Sequence, residues 1–392
     1  MTDDLSPELR LVAACCIWQP SARRDEAIKL VGAVPLNWDE VLRLVFRHRV
    51  AGLVHNSLSQ SGLVVPARAK SQIAAAASDT AREALMMGAE ALRIRAAFDA
   101  AGIPNLNLKG SALAVLAYGS LAIKHAWDID TLVPPECVGR AVRVLHELGY
   151  ERRSPPSDLS EAQFLVWTQF AHEAIFRNAK YSIAVELHWR LTDNMALEIA
   201  PGFSDAGQWV EVGGPGRKLR TLSDEQLFSY LCLHGTHHAW GRLKWLADVA
   251  AWLGQKTPDQ ILNLYRCAQR VGAQRAAEQA LVLCRELFGF ELPNALSDGI
   301  GQDRISRWLV SVALDTITGP ETEMEGSLKI ALSQFLLASN LRQAWWTFET
   351  RLIGWTDFMR LRLPRPFFFL YPVIRLPSWV WRRVWRAGAR RA

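Results

Sequence analysis

Two aspartates, Asp128 and Asp130, stand on alternate residues of an apolar run, WDIDTLV. Ile129, Leu132 and Val133 are apolar and Thr131 is β-branched, a composition that predicts a β-strand. On a strand, residues i and i+2 share a face, so both carboxylates project side by side. Like charges that close are costly unless a cation lies between them or one carboxylate is protonated. A divalent metal is the simplest resolution. All-oxygen ligands of this kind suit Mg²⁺, with Mn²⁺ as the alternative.

Three flanking features turn this pair into a candidate site. In NLKGSAL a short strand runs through Lys109 into Gly110 and Ser111 and then into an alanine-rich helix. Glycine at such a turn lets the backbone approach a phosphate, and the helix N-terminus offers unpaired N–H groups to an anion. Glu186, in YSIAVELHW, lies on another expected strand and can supply a third carboxylate. Lys109, Lys124 and His125 bring positive charge to the same segment. Together these residues describe a site for a nucleoside triphosphate and metal. Asp128 and Asp130 are the expected metal ligands, and Glu186 completes the metal site or serves as general base. Lys109, Gly110, Ser111 and Lys124 are the expected nucleotide-binding residues.

The segment LKGSALAVLAYGSLAIKHAWDIDTLV, with its tyrosine Tyr118, resembles the active-site region of the polymerase-β-like nucleotidyltransferase superfamily. More narrowly, it resembles the bacterial group called uncharacterised nucleotidyltransferases. The later ELHW (Glu186 to Trp189) and LCLHGTHHAWGRLKWLADVAAWL, with His234, Trp245 and Asp248, follow in the group's order. Members often carry arginine shortly before DxD, where this chain has Lys124 and His125. The resemblance spans roughly residues 35 to 260. It implies Mg²⁺-dependent transfer of a nucleoside monophosphate from a nucleoside triphosphate to an acceptor, with release of pyrophosphate. Two rivals remain open: a catalytically silent nucleotide-binding protein, and a membrane-associated accessory protein of a biosynthetic cluster.

The elements that must position these residues predict an α+β fold. A small mixed-sheet nucleotidyltransferase core is expected at 101–200, between an N-terminal helical region at 1–100 and a C-terminal helical domain at 201–360. NWDEVLRLVFRHRVAGLVHNSL has apolar residues at helical spacing throughout. EAIFR and YSIAVELHW alternate as a strand pair joined by NAK, and Ser223 is the expected N-cap of a later helix. Residues 361–392 form a basic aromatic tail.

Charge narrows the partners. From Arg360 onward there are nine arginines and no acid, which leaves 36 basic residues against 39 acidic ones in the rest of the chain. A body without broad basic surface argues against a templated polymerase, so a peptide, sugar or small molecule is a better acceptor than nucleic acid. The tail suits either packing on the body or peripheral membrane contact, with nucleic-acid binding behind. Six cysteines without a CxxC pair, and no apolar run of about 20 residues, predict a reduced, cytoplasmic protein. His172 and His188 read as structural. His234, His237 and His238 read as packing or pocket residues, and Asp248 as the salt-bridge partner of Arg242 or Lys244.

Overall fold

The aspartate-bearing segment forms the strand β2 (Asp128–Leu132), preceded by the two-residue strand β1 (Leu106–Asn107). The computed structural model describes residues 5–352 apart from 170, 198, 200–202, 204–206, 298 and 321–326, together with 367, 370, 373 and 374. The tail expected at 361–392 lies almost wholly outside the described residues.

Further strands follow at β3 (Tyr150–Ser154), β4 (Glu173–Asn178), β5 (Ala184–His188), β6 (Gln208–Glu211) and β7 (Lys218–Thr221). Among the described residues they make one mixed sheet of seven strands in the order β3-β4-β5-β2-β1-β7-β6, with β2 at the centre. β2 runs parallel to β5 and antiparallel to β1, while β4 pairs antiparallel with β5. No strand is expected at 208–221 from sequence, yet β6 and β7 form a hairpin that joins the sheet through β1. Its strands QWVE and KLRT each bury a single apolar side chain, Val210 and Leu219, too weak a signal for a sequence pattern.

Helices enclose the sheet, and the fold is α+β. Before β1 come α1 (Pro7–Cys15), α2 (Ala22–Gly32), α3 (Trp38–His48), α4 (Ala51–Ser61) and the 34-residue α5 (Ala67–Ala100). Within the sheet region lie α6 (Ser111–Tyr118), α7 (Val138–Glu147) and α8 (Glu161–Trp167). After β7 follow α9 (Asp224–His237), α10 (Leu243–Leu253), α11 (Pro258–Arg270), α12 (Gln274–Phe288), α13 (Asn294–Ser297), α14 (Arg304–Thr318), α15 (Leu328–Leu336) and α16 (Leu341–Leu352). Ser223 caps α9 as expected, its hydroxyl accepting from Gln226 N–H while the Gln226 side chain returns to the cap amide. No helix among the described residues is long and apolar enough to cross a membrane. The six cysteines are free and buried.

Residues 37–58, read from sequence as helical, belong to two helices. Arg49 adopts a left-handed conformation, φ 56°, and the chain turns there between α3 and α4. The amides of Arg49 and Val50 bond back to Phe46 and Val45, closing the end of α3. Apolar spacing cannot report this break, because buried residues continue on both sides of it, with Val45 before and Val54 after. The turn carries the Arg49 guanidinium to 5.0 Å from the Trp127 ring.

Strand alternation divides the sheet's two faces. Ile129, Val185, Leu187, Ala174 and Phe176 point into a core shared with Phe98 of α5 and Leu145 of α7. The opposite face of the same three strands carries Asp128, Asp130, Glu186, His188 and Glu173, directed toward α9 and α10. A second core of helical side chains, with Phe228, Trp240 and Trp252, lies beneath α9 and α10.

The segment from Gly119 to β2 is held by α4. A Cβ at Gly52 would stand 2.4 Å from the Ile123 carbonyl oxygen, so glycine there is required by the close approach of the two backbones. Gly52→Ala is expected to cost about 1–3 kcal/mol of stability in urea denaturation. A change within about 0.5 kcal/mol, the range of neutral surface substitutions, would show that the segment yields freely.

Candidate active site

The carboxylates meet through register. Parallel pairing sets Asp130 directly beside Glu186, and antiparallel pairing sets His188 beside Glu173. Glu186, His188 and Glu173 line a cleft of about 720 Å³ between the sheet and the α9–α10 region. Asp128 lines it half-buried, while Asp130, 2% exposed, is buried behind Glu186 and Lys109.

Lys109 follows β1 and enters the same cluster. Its Nζ lies 2.8 Å from Asp130 Oδ1 and 3.8 Å from Glu186 Oε2. Burial disfavours the ammonium, but Asp130, Asp128 and Glu186 outweigh it and hold Lys109 firmly charged. Burial likewise pushes the Asp130 carboxyl up, and Lys109 and His188 more than reverse that, keeping it well below the usual carboxylate range. Glu186 goes the other way: burial and the Asp130 charge raise it to about 8. Two neighbouring carboxyls therefore differ in their readiness to carry a proton, the asymmetry expected of like charges sharing a site.

The Lys109 ion pair is close but not aligned as a hydrogen bond. Both Asp130 oxygens are buried without a hydrogen-bond partner, as are both ring nitrogens of His188. Asp130, Glu186 and His188 each place one ligand atom within 4.8 Å of the others. Buried lone pairs that converge without donors fit a divalent cation.

Gly110 has φ 62° and ψ −124°, a conformation that side-chain-bearing residues rarely adopt, and it begins α6 at the cleft wall. Ser111 is buried, its hydroxyl toward Gly88 of α5, and it is not among the residues that line the cleft. Lys124 lines the cleft, but its Nζ is 2.7 Å from Asp248 Oδ2. Tyr118 donates its hydroxyl to the other Asp248 oxygen at 2.8 Å. The expected partners of Asp248, Arg242 and Lys244, are thus replaced by Lys124 and Tyr118, because the segment held by Gly52 delivers Lys124 to α10.

Several site residues carry no sequence signal of their own. Arg49, Arg242 and Lys244 join Lys124 as a cationic wall facing the carboxylates. His125, expected to bring positive charge, lines the same wall as a neutral imidazole, because burial and the nearby Lys244 and Arg49 lower it to about 4. Burial, Lys124 and Arg49 lower Lys244 to about 7. Trp127, 59% exposed, stands at the same wall with its ring stacked 6.0 Å from His125. His172 and His188, read from sequence as structural, belong to the cluster: His188 Nε2 is 3.4 Å from Asp130 Oδ1 and 3.4 Å from Glu173 Oε2. Burial opposes a charge on His188, but Glu173, Asp130 and Glu186 raise it to about 9. Glu173, the first residue of β4, could be found from sequence only by knowing that β4 lies beside β5. His234 and His238 line the cleft as expected, with the His238 ring stacked on Trp245 at 4.8 Å.

Asp248→Ala leaves a buried ammonium and a buried hydroxyl without their acceptor and is expected to cost about 3–5 kcal/mol, read by denaturant unfolding. Lys244 tests the cationic wall. Its folded pKa of about 7 lies below the ordinary lysine value of 10.5, so charging it opposes folding. That penalty is complete below pH 7 and shrinks as pH rises toward 10, where both states lose the proton. Lys244→Met should therefore raise the thermal midpoint at pH 6 and lose most of that gain by pH 9.

Residues 35–289 match the family described as uncharacterised nucleotidyltransferase. No curated protein and no solved structure matches the chain. The family match takes in β1 through α12, and with it every carboxylate, lysine and histidine of the cleft. The chain belongs to this nucleotidyltransferase family and is a transferase of nucleotidyl groups.

Proposed function

We propose that the cleft binds a nucleoside triphosphate between its acidic floor and its cationic wall, and that an acceptor group attacks the α-phosphorus with pyrophosphate leaving. The observation that carries this reading is the buried Asp130 carboxylate, without a hydrogen bond, beside Glu186, which with Asp128 lines a cleft whose other wall carries lysines and arginines.

Asp128, Asp130 and Glu186 are the residues that would hold Mg²⁺, or Mn²⁺ in its place. The ion when bound supplies charge neutralisation on the phosphates and the leaving pyrophosphate. Gly110 would let the backbone at the start of α6 come close to phosphate oxygens, to which the first amides of that helix, unpaired within it, would donate. Lys109 balances the carboxylates from 2.8 Å and is near enough to turn to a phosphate. Lys124, fixed by Asp248, and Lys244 place positive charge opposite the floor. In place of ligating the ion, Glu186, raised to about 8, is suited to accept the proton that the acceptor loses. At its other end the cleft is lined by Leu197, Ala276, Leu337 and Ala338, a neutral enclosure that suits a small molecule, sugar or peptide side chain better than a polynucleotide.

Asp128→Asn combined with Asp130→Asn preserves side-chain size and removes both charges. Calorimetric titration of each nucleoside triphosphate with Mg²⁺ is expected to show binding to the native protein, lost by at least about 100-fold in the double variant, since each charged contact contributes roughly 1.5–3 kcal/mol. Equal binding by both proteins, with and without chelator, would overturn the assignment.

A further inference from the structure

One cluster on the cleft floor is not used by the reaction above. We propose that His172, Glu173 and His188 form a metal site of their own, taking a divalent first-row transition ion such as Zn²⁺ or Mn²⁺ in preference to Mg²⁺.

The three residues come from the paired ends of β4 and β5, where Glu173 stands directly opposite His188. Glu173 Oε2 is 3.3 Å from His172 Nε2 and 3.4 Å from His188 Nε2, and the three ligand atoms lie within 4.8 Å of one another. An ion centred among them needs little movement of the backbone. The frame is rigid: Trp189 N–H donates to the His172 carbonyl at 2.9 Å, and the Trp189 indole N–H donates to the Ala171 carbonyl at 2.7 Å.

Two further observations point to a ligand. His172 Nδ1 lies 2.6 Å from Asp193 Oδ1. A carboxylate there accepts a hydrogen bond from Nδ1–H and leaves the Nε2 lone pair on the side of Glu173 and His188, the arrangement by which metal-binding histidines are oriented. His188 is 2% exposed, and neither of its ring nitrogens makes a hydrogen bond. A buried imidazole that makes no hydrogen bond, its Nε2 3.4 Å from a carboxylate beside a second imidazole, is a poor way to stabilise a fold and a good way to hold an ion.

Donor chemistry then selects the metal. Two imidazole nitrogens and one carboxylate suit zinc, manganese and their neighbours, whereas Mg²⁺ favours oxygen and gives up its waters reluctantly. The neighbouring Asp128, Asp130 and Glu186 offer oxygen alone. His188 Nε2 also lies 3.7 Å from Glu186 Oε2, so the two sites adjoin, with the transition ion beside the nucleotide site. The proposal concerns the metal alone and stands or falls without nucleotide.

The test uses the full chain, stripped with chelator and dialysed, at pH 8, where protons compete less with the metal. Zn²⁺ and Mg²⁺ are titrated calorimetrically, and Mn²⁺-loaded protein is examined by pulsed electron paramagnetic resonance for nitrogen couplings. The expected result is one Zn²⁺ bound at least about 100-fold more tightly than Mg²⁺, with nitrogen couplings to Mn²⁺. Both should be lost in His172→Ala. Asp193→Asn, which leaves all three ligands in place, should weaken Zn²⁺ by about 10–100-fold. Asp128→Asn with Asp130→Asn should keep the Zn²⁺ site, which separates this proposal from the nucleotide reading. Circular dichroism of each variant checks the fold. Absence of nitrogen coupling, or Zn²⁺ affinity unchanged in His172→Ala and Asp193→Asn, would overturn the site and leave the two histidines as cationic partners of the carboxylates.

Discussion

The pairing of β2 with β5 is the constraint on which the rest of the structure depends. Parallel register sets Asp130 beside Glu186 on one face while Ile129, Val185 and Leu187 enter the core on the other. A slip of one residue would send the carboxylates into that core and the aliphatic side chains into the cleft. The apolar face therefore fixes the acidic one. Because β2 is central, its polar face is buried against the α9–α10 region, and charge is concentrated where water is scarce.

That concentration explains the neighbours. A buried carboxylate costs several kcal/mol unless charge and hydrogen bonds compensate it. Lys109 supplies charge to Asp130 from the turn after β1, and His188 supplies it from the end of β5. Glu173 and Asp193 extend the network through His172. The compensation is incomplete at Asp130 and His188, whose polar atoms keep no hydrogen bond. Incomplete satisfaction of this kind is expected where a site is built for something that binds rather than for stability.

The opposite wall is built by a different device. The Gly52–Ile123 contact presses the segment before β2 toward α10, and the Lys124–Asp248–Tyr118 bonds fasten it. Arg49, turned outward by the break between α3 and α4, reaches Trp127 over the same segment. The N-terminal helices thus contribute to the cleft, although they lie far from its carboxylates in sequence. Basic and acidic walls face each other across a space with room for a polyphosphate, and their separation is set by helix packing rather than by any local motif.

What the sequence by itself determined is the local chemistry of β2, α6 and β5. Alternation in DIDTL placed two carboxylates on one face, the glycine in LKGSAL marked a turn opening a helix, and VELHW offered a third carboxylate. Those inferences rest on periods of two and on backbone rules, which operate within a few residues. The resemblance of the same segments to a nucleotidyltransferase family added the reaction class, which the family match over residues 35–289 bears out. Tertiary structure decided the rest. Glu173 and His172 joined the site because β4 lies beside β5, Lys124 chose Asp248 because α4 pushes its segment toward α10, and the β6–β7 hairpin joined the sheet through a parallel pairing with β1. Each is a contact between residues distant in the chain. Its energy comes from burial and charge compensation, which no local pattern records.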